Sequence, residues 1–290
     1  MKIATACYPL DVLTSWAQYE DKIAAWVDRA EADLLVFPEY GAMELATLDG
    51  LEVAGDLEQS LHAVSARIPE ADALHARLAR ESGKHILAAS APVILAPGQR
   101  PVNRARLFTP AGGIGVQDKQ IMTRFEAEVW DVVPGEPLQL FDTALGKIGV
   151  LICYDSEFPL LGRALAEAKI LLIPSVTEAI SGYTRVQIGA RARALENQCI
   201  TAMSSVTGAA AWSEAVDISV GAGGIYGPPD TGFPPDGVLA QGGLDVPGWT
   251  IAEVDVSAIA RVRADGTVLN RRDWAAQTGR DGPAPLAPLR

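Results

Sequence analysis

Lys147-Ile148-Gly149-Val150-Leu151-Ile152-Cys153-Tyr154-Asp155-Ser156-Glu157-Phe158-Pro159 decides how the chain is read. The residues before Cys153 form a buried apolar strand, and those after it form a polar turn leading into a helix. Cys153 therefore stands at the exposed carboxyl end of a strand. Open α/β sheets place their ligands there, and the N–H groups that follow can stabilise an oxyanion. A free cysteine taken alone is more often a small apolar core residue. Cys7 and Cys199, inside apolar strand patterns without polar followers, are read that way.

Working outward, strands and helices alternate. Downstream come a helix over 160–168, a strand over 170–173, a helix over 184–197 and a strand over 199–205. Upstream come a strand over 2–8, a helix over 14–30, a strand over 34–37, a helix over 56–82 and a strand over 86–90. Pro69 is expected to kink or divide the helix over 56–82, and Gly83 to end it. Runs 104–108 and 115–118, separated by Pro110, Gly112 and Gly113, have the form of a hairpin. The pattern predicts an α/β sheet, partly parallel and partly hairpin-built, with helices on its outer face. Residues 221–248 are rich in Gly and Pro and read as loops around short strands. Residues 281–290, with Pro283, Pro285 and Pro288, read as an extended tail. The expected organisation is one domain over 1–270 with a C-terminal extension over 271–290.

Composition narrows the function. The chain has 290 residues, 49% hydrophobic and 21% charged, which excludes disordered and fibrous classes. A net charge of −12 repels phosphate backbones and anionic lipid, so neither nucleic acid nor a membrane is expected as a partner. Three cysteines without a CxxC pair fit a reducing cytoplasm better than a disulfide framework. The N-terminus lacks the apolar core of a secretory signal, and no apolar run reaches the ~20 residues of a spanning helix. There is no GxxxxGK[ST] loop, no GxSxG elbow and no HExxH helix, and Gly221-Ala222-Gly223 lacks the third glycine of a dinucleotide turn. His62, His75 and His85 all lie in one segment that reads mainly as helix and strand, which leaves a histidine base poorly supported. The proton of a nucleophilic thiol must then pass to a carboxylate or an amine.

Two segments repeat the form of a strand followed by polar residues. Leu34-Leu35-Val36-Phe37-Pro38-Glu39 sets Glu39 beyond one strand, and Gly115-Val116-Gln117-Asp118-Lys119 sets Lys119 beyond another. Alone, each reads as a solvated loop charge. Together with Cys153 they can supply a base, an oxyanion partner and a nucleophile.

Phe37-Pro38-Glu39, Asp118-Lys119 with Pro134-Gly135, Ile152-Cys153-Tyr154-Asp155 with Phe158-Pro159, and Arg191-Ala192-Arg193-Ala194-Leu195-Glu196-Asn197 occur in register. In these motifs the chain resembles the nitrilase, or carbon–nitrogen hydrolase, superfamily, from the first strand to about Val256. The resemblance implies a four-layer αββα sandwich, pairing with a second copy through outer helices to give a homodimer or higher homo-oligomer, and neither a metal nor an organic cofactor. By position, Glu39 resembles the general base, Lys119 the oxyanion lysine and Cys153 the nucleophile. Many members carry a further glutamate between the lysine and the cysteine. Glu126 and Glu128 both qualify, and counting back from Pro134-Gly135 favours Glu128, 25 residues before Cys153.

Tyr154, Glu157, Thr177 and Glu178 are the substrate-binding candidates. Relatives that cleave N-carbamoyl amino acids hold a carboxylate with arginines just after the nucleophile, where this chain has Glu157 and Phe158. The expected substrate is therefore a small neutral or cationic amide, unless Glu157 pairs with an arginine such as Arg163 or Arg185. Acyl transfer from the same thioester, and hydrolysis of a nitrile or N-carbamoyl group, are the alternatives. A catalytically silent scaffold fits poorly with an intact Glu39, Lys119 and Cys153.

Overall fold

Strand β1 (Lys2–Pro9) sends alternate side chains into two different cores, because successive residues of a pleated strand face opposite ways. Ile3 joins Leu34, Val36, Leu87 and Leu107 on one side. Ala4, Ala6 and Tyr8 join Leu35, Phe37, Ile86 and Phe108 on the other. These partners lie on or next to β2 (Leu34–Val36), β3 (His85–Val93) and β4 (Val102–Phe108), with β5 (Ile114–Asp118) at the edge. The second of these cores is covered by α1 (Trp16–Arg29), through Tyr19, Ile23 and Val27, and, beyond the short α2 (Leu51–Gly55), by α3 (Leu57–Ser82), through Leu61, Val64, Leu74 and Leu78. The first continues into β6 (Leu140–Thr143), β7 (Gly146–Val150), β8 (Ile170–Ser175) and β9 (Ile200–Ala209). The computed structural model describes residues 1–280 and 282–288. Asp281, Leu289 and Arg290, which belong to the expected tail, lie outside the described residues.

The two halves of the sheet meet at one place. β1 and β9 run parallel and pair only through residues 7–9 and 205–207, at their carboxyl ends. Further back, β10 (Ile218–Ser219) having closed a short hairpin on the end of β9, β9 takes β11 (Gly224–Tyr226), which pairs with β12 (Val238–Gln241). β1 there takes β13 (Gly248–Glu253). The halves thus splay from a shared seam into two layers, and helices on both outer faces complete the αββα sandwich. The parallel strands β2, β7 and β8 all end on the seam side, so the residues that follow them converge.

Between these strands come α4 (Arg124–Glu128), α5 (Pro159–Ala164) and α6 (Ile180–Asn197), and α7 (Val256–Asp265) follows β13. Several local expectations need correction. α3 is a single helix with Pro69 inside it, because its long buried stripe against the sheet outweighs one missing hydrogen bond. α5 ends at Ala164, four residues before the expected end. The strand into Cys153 closes at Val150, and Cys153 itself begins a 3₁₀ turn over Cys153–Glu157. The β4/β5 hairpin is antiparallel, as expected. After residue 270, α8 (Asn270–Asp273) and a 3₁₀ turn set the Trp274 ring 5.0 Å from the Arg163 guanidinium. No helix among the described residues is long and apolar enough to cross a membrane.

Candidate active site

Glu39 follows β2 on a segment tied to β3 by the Phe37 N–H to the Leu87 carbonyl (3.0 Å) and the Ser90 N–H to the Pro38 carbonyl (3.1 Å). Lys119 follows β5, its N–H donating to the Asn103 carbonyl at 2.9 Å. The Pro134-Gly135 motif lies behind it. Gly135 donates its N–H to the Lys119 carbonyl at 3.2 Å, and it packs so tightly on Asp118 that a Cβ would overlap that side chain. Asp118 is in turn clamped by a bidentate pair with Arg104, at 2.7 and 2.9 Å.

Cys153 has φ +47°, a left-handed conformation that L-residues other than Asn and Asp seldom adopt. Neighbouring groups hold it there. Ser156 Oγ donates to the Cys153 carbonyl at 2.7 Å, and the Asp155 carboxylate accepts from the N–H groups of Ile152, Gln120 and Ile121. Asp155 thus fastens the segment after Lys119 to the Cys153 turn. Burial raises its pKa to about 7. From the far side, Arg193 of α6 donates to the Ser156 carbonyl at 2.9 Å, and Gly189 leaves room for that contact. Of the Arg191 to Asn197 motif, Arg193 thereby braces the turn, and Asn197 Nδ2 donates to the Gly162 carbonyl of α5 at 2.8 Å.

The three side chains converge. Lys119 Nζ donates to Glu39 Oε1 at 2.7 Å and to Glu126 Oε2 at 2.6 Å, with all three residues almost fully buried. Glu39 Oε2 accepts the Val176 N–H at 3.1 Å. The Cys153 thiol lies 3.6 Å from the Val176 carbonyl oxygen and shares the cavity with the Glu39 carboxylate, near enough to feel its charge. Burial, with the Glu126 charge, raises the pKa of Glu39 despite Lys119. Burial also favours a protonated Glu126, but Lys119 and the hydrogen bonds outweigh it and lower the pKa. Lys119 is desolvated, yet the two carboxylates hold its pKa above the usual ammonium value. Burial and the Glu39 charge push the Cys153 thiol well up. At rest the site therefore holds a neutral thiol beside a carboxylate of raised pKa and a fixed ammonium.

Glu126 joins this cluster and Glu128 does not, a correction to the spacing argument. Glu128 is 59% exposed and pairs with Arg124 at 2.7 Å along the solvent side of α4. Glu126 sits at the third position of the same helix, and Thr123 caps that helix. Its carboxylate turns back to accept the Thr123 N–H and hydroxyl, both at 2.9 Å, which aims it at Lys119. Thr123-Arg124-Phe125-Glu126 is a capping-box sequence, the signal that distinguishes the two glutamates. Two further partners of Glu126 were not read from the sequence. The Tyr40 hydroxyl donates to it at 2.8 Å, and Asn103 Nδ2 at 3.3 Å.

A cavity of about 400 Å³ opens over the cluster. Tyr154, Glu157, Thr177 and Glu178 all line it, as do Tyr40, Phe125, Trp130 and Val216. Glu128 and the three histidines do not. Glu157 is paired with Arg185 at 3.4 Å, so its charge is partly met before any ligand enters. Among the described residues no group of three or more His, Cys, Asp or Glu side chains is arranged to hold a metal ion.

Comparison with known proteins follows the same lines. The carbon-nitrogen hydrolase family matches residues 2–264. A probable hydrolase of Bacillus subtilis, YhcX, is 32% identical over 94% of this chain and 53% of its own length, so the chain spans about half of that relative. A carbon-nitrogen hydrolase from Helicobacter pylori shares the fold with TM-score 0.77 at 18% identity, covering 97% of each chain. A glutamate-to-glutamine mutant of an amidase from Nesterenkonia sp. AN1, which shows the Michael addition of acrylamide at its active-site cysteine, superposes with TM-score 0.69 at 24% identity, over 97% of this chain and 99% of that one. A family match across nearly the whole length and a sandwich whose seam gathers Glu39, Lys119 and Cys153 lead to one assignment: the chain belongs to the carbon-nitrogen hydrolase family.

Proposed function

We propose that the protein hydrolyses the C–N bond of a small neutral or cationic amide through a thioester on Cys153. The observation that carries this reading is the buried cluster of Glu39, Lys119 and Cys153, delivered by three separate strand ends into one cavity. Glu39 takes the thiol proton as sulfur attacks the carbonyl carbon. The oxyanion rests against the Tyr154 N–H and the third Lys119 N–H, the one not given to a carboxylate. Collapse breaks the C–N bond, and Glu39 returns its proton to the leaving ammonia or amine. Water, deprotonated by Glu39, then attacks the thioester, and its proton passes through Glu39 to the departing thiolate. Glu126 holds Lys119 in place.

The cavity walls fit a short acyl chain, with Phe125, Trp130 and Val216 around it and the Glu157–Arg185 pair among its polar lining. A panel of an aliphatic amide, an amine-bearing amide, a dicarboxylate monoamide, a nitrile and an N-carbamoyl amine, each assayed for ammonia, tests the substrate class. The highest kcat/KM should fall on one of the first two. A preference for the dicarboxylate monoamide would overturn the charge argument. An acyl-enzyme that persists in water and releases product only when an acceptor amine is added would favour acyl transfer. We also propose self-association through α5 and α6, where Leu160, Ile188 and Leu195 are exposed. A monomer in sedimentation at micromolar concentration would contradict it.

A further inference from the structure

Asn103 lies in β4, fully buried, and its amide closes a ring. Nδ2 has two N–H groups. It donates to Glu39 Oε1 at 2.9 Å and to Glu126 Oε1 at 3.3 Å, while Lys119 Nζ donates to the same two carboxylates from the other side. Two acceptors and two donors alternate around the ring. An amide can bind in either of two flipped orientations, and here one is imposed. Ser90 Oγ donates to Asn103 Oδ1 at 2.7 Å, and the same Ser90 oxygen accepts the Tyr40 N–H at 3.0 Å. Ser90 lies where the β3–β4 register shifts, between Ala88 and Ala91, the kind of irregularity that re-aims a side chain.

We propose that Asn103, locked by Ser90, is a positioning residue that decides which oxygen of Glu39 handles the proton. Oε1 carries two donors, from Asn103 and Lys119. Oε2 has only the Val176 N–H, so it is the oxygen left to face Cys153 and accept. Asn103 also separates two carboxylates that would otherwise repel, without adding charge. The charged and titratable groups facing Glu39 are Lys119, Glu126, Cys153 and Tyr40, and of these only Lys119 also donates to Oε1. Removing the donor makes the Glu39 carboxylate harder to form, so its pKa rises further.

The proposal rests on the hydrolase reading, and its test has a readout independent of substrate. The rate at which iodoacetamide alkylates Cys153, located by peptide mass, is followed from pH 5 to 9 in the wild type, Asn103→Ala and Ser90→Ala. The acid limb in Asn103→Ala should move up by about one pH unit. Ser90→Ala should move it the same way by less, since the amide is then free to flip. With a turned-over amide, kcat in Asn103→Ala should fall at least ~10-fold while KM stays within about two-fold. Folded variants with wild-type limbs overturn the proposal, as does a fall in rate without a shift. If Asn103→Ala does not fold, Ser90→Ala decides. Turnover by Cys153→Ala would instead overturn the hydrolase reading.

Discussion

Replacing Glu126 and Glu128 in turn by glutamine separates two carboxylates that are two residues apart on one short helix. The Glu126 carboxylate is 4% exposed and accepts from Lys119, Thr123, Tyr40 and Asn103. In Glu126→Gln one terminal atom becomes a donor facing donors, and Lys119 keeps a single carboxylate. Lys119 stays paired with Glu39, so the cost is that of a buried donor left without its acceptor, about 1–3 kcal/mol. A lysine no longer held between two carboxylates should lower kcat by at least ~10², the scale of a lost oxyanion group. Glu128→Gln removes only an exposed i,i+4 pair with Arg124, about 0.3–0.5 kcal/mol, and leaves turnover unchanged. Ammonia release from one amide and thermal unfolding of both variants provide the comparison. Glu128→Gln losing more activity than Glu126→Gln would refute the assignment of Glu126 to the site.

Three other outcomes follow from particular contacts. Gly135→Ala should reduce kcat with little change in fold content, because a methyl group must displace Asp118 and with it Lys119; wild-type kinetics would show that the Pro134-Gly135 turn does not position the lysine. The acid limb of kcat/KM should lie above the ordinary carboxylate range, since the raised pKa of Glu39 means that the base ionises late as pH rises; a limb at or below that range would contradict the assignment of the base. His75 is buried against Phe108 and its pKa is lowered by burial to about 4, so the native state resists its protonation. Its contribution is full above pH 6.5 and falls away as pH drops toward 4, by about 3 kcal/mol. Asp155, raised to about 7, has the opposite slope in both proteins, so the difference between wild type and His75→Phe isolates the histidine; equal pH slopes would refute it.

The strand-end logic was readable because buried parallel strands are apolar runs, and the first polar residues beyond them must lie at the carboxyl edge. Glu39 and Cys153 each follow such a run, whereas Lys119 follows the half-exposed edge strand β5, which pairs antiparallel with β4. Counting residues could not choose between Glu126 and Glu128, because spacing carries no direction. The turn of the Glu126 side chain toward Thr123 does. Asn103 and Ser90 were missed for another reason. A polar residue in a strand ordinarily reads as facing outward, and only the tertiary register of β3 on β4 turns these two inward. The undivided α3 likewise reflects packing that a local rule for Pro69 does not contain.

The central claim is a covalent acyl group on Cys153, and the intact mass of enzyme quenched during turnover of an amide tests it most directly. The account predicts one added acyl mass that maps to the peptide of Cys153, with ammonia released in the first turnover. It also predicts the same adduct in Cys7→Ser and Cys199→Ser, and no adduct and no ammonia in Cys153→Ala. Ammonia released by Cys153→Ala, or an adduct on any other residue, would contradict it.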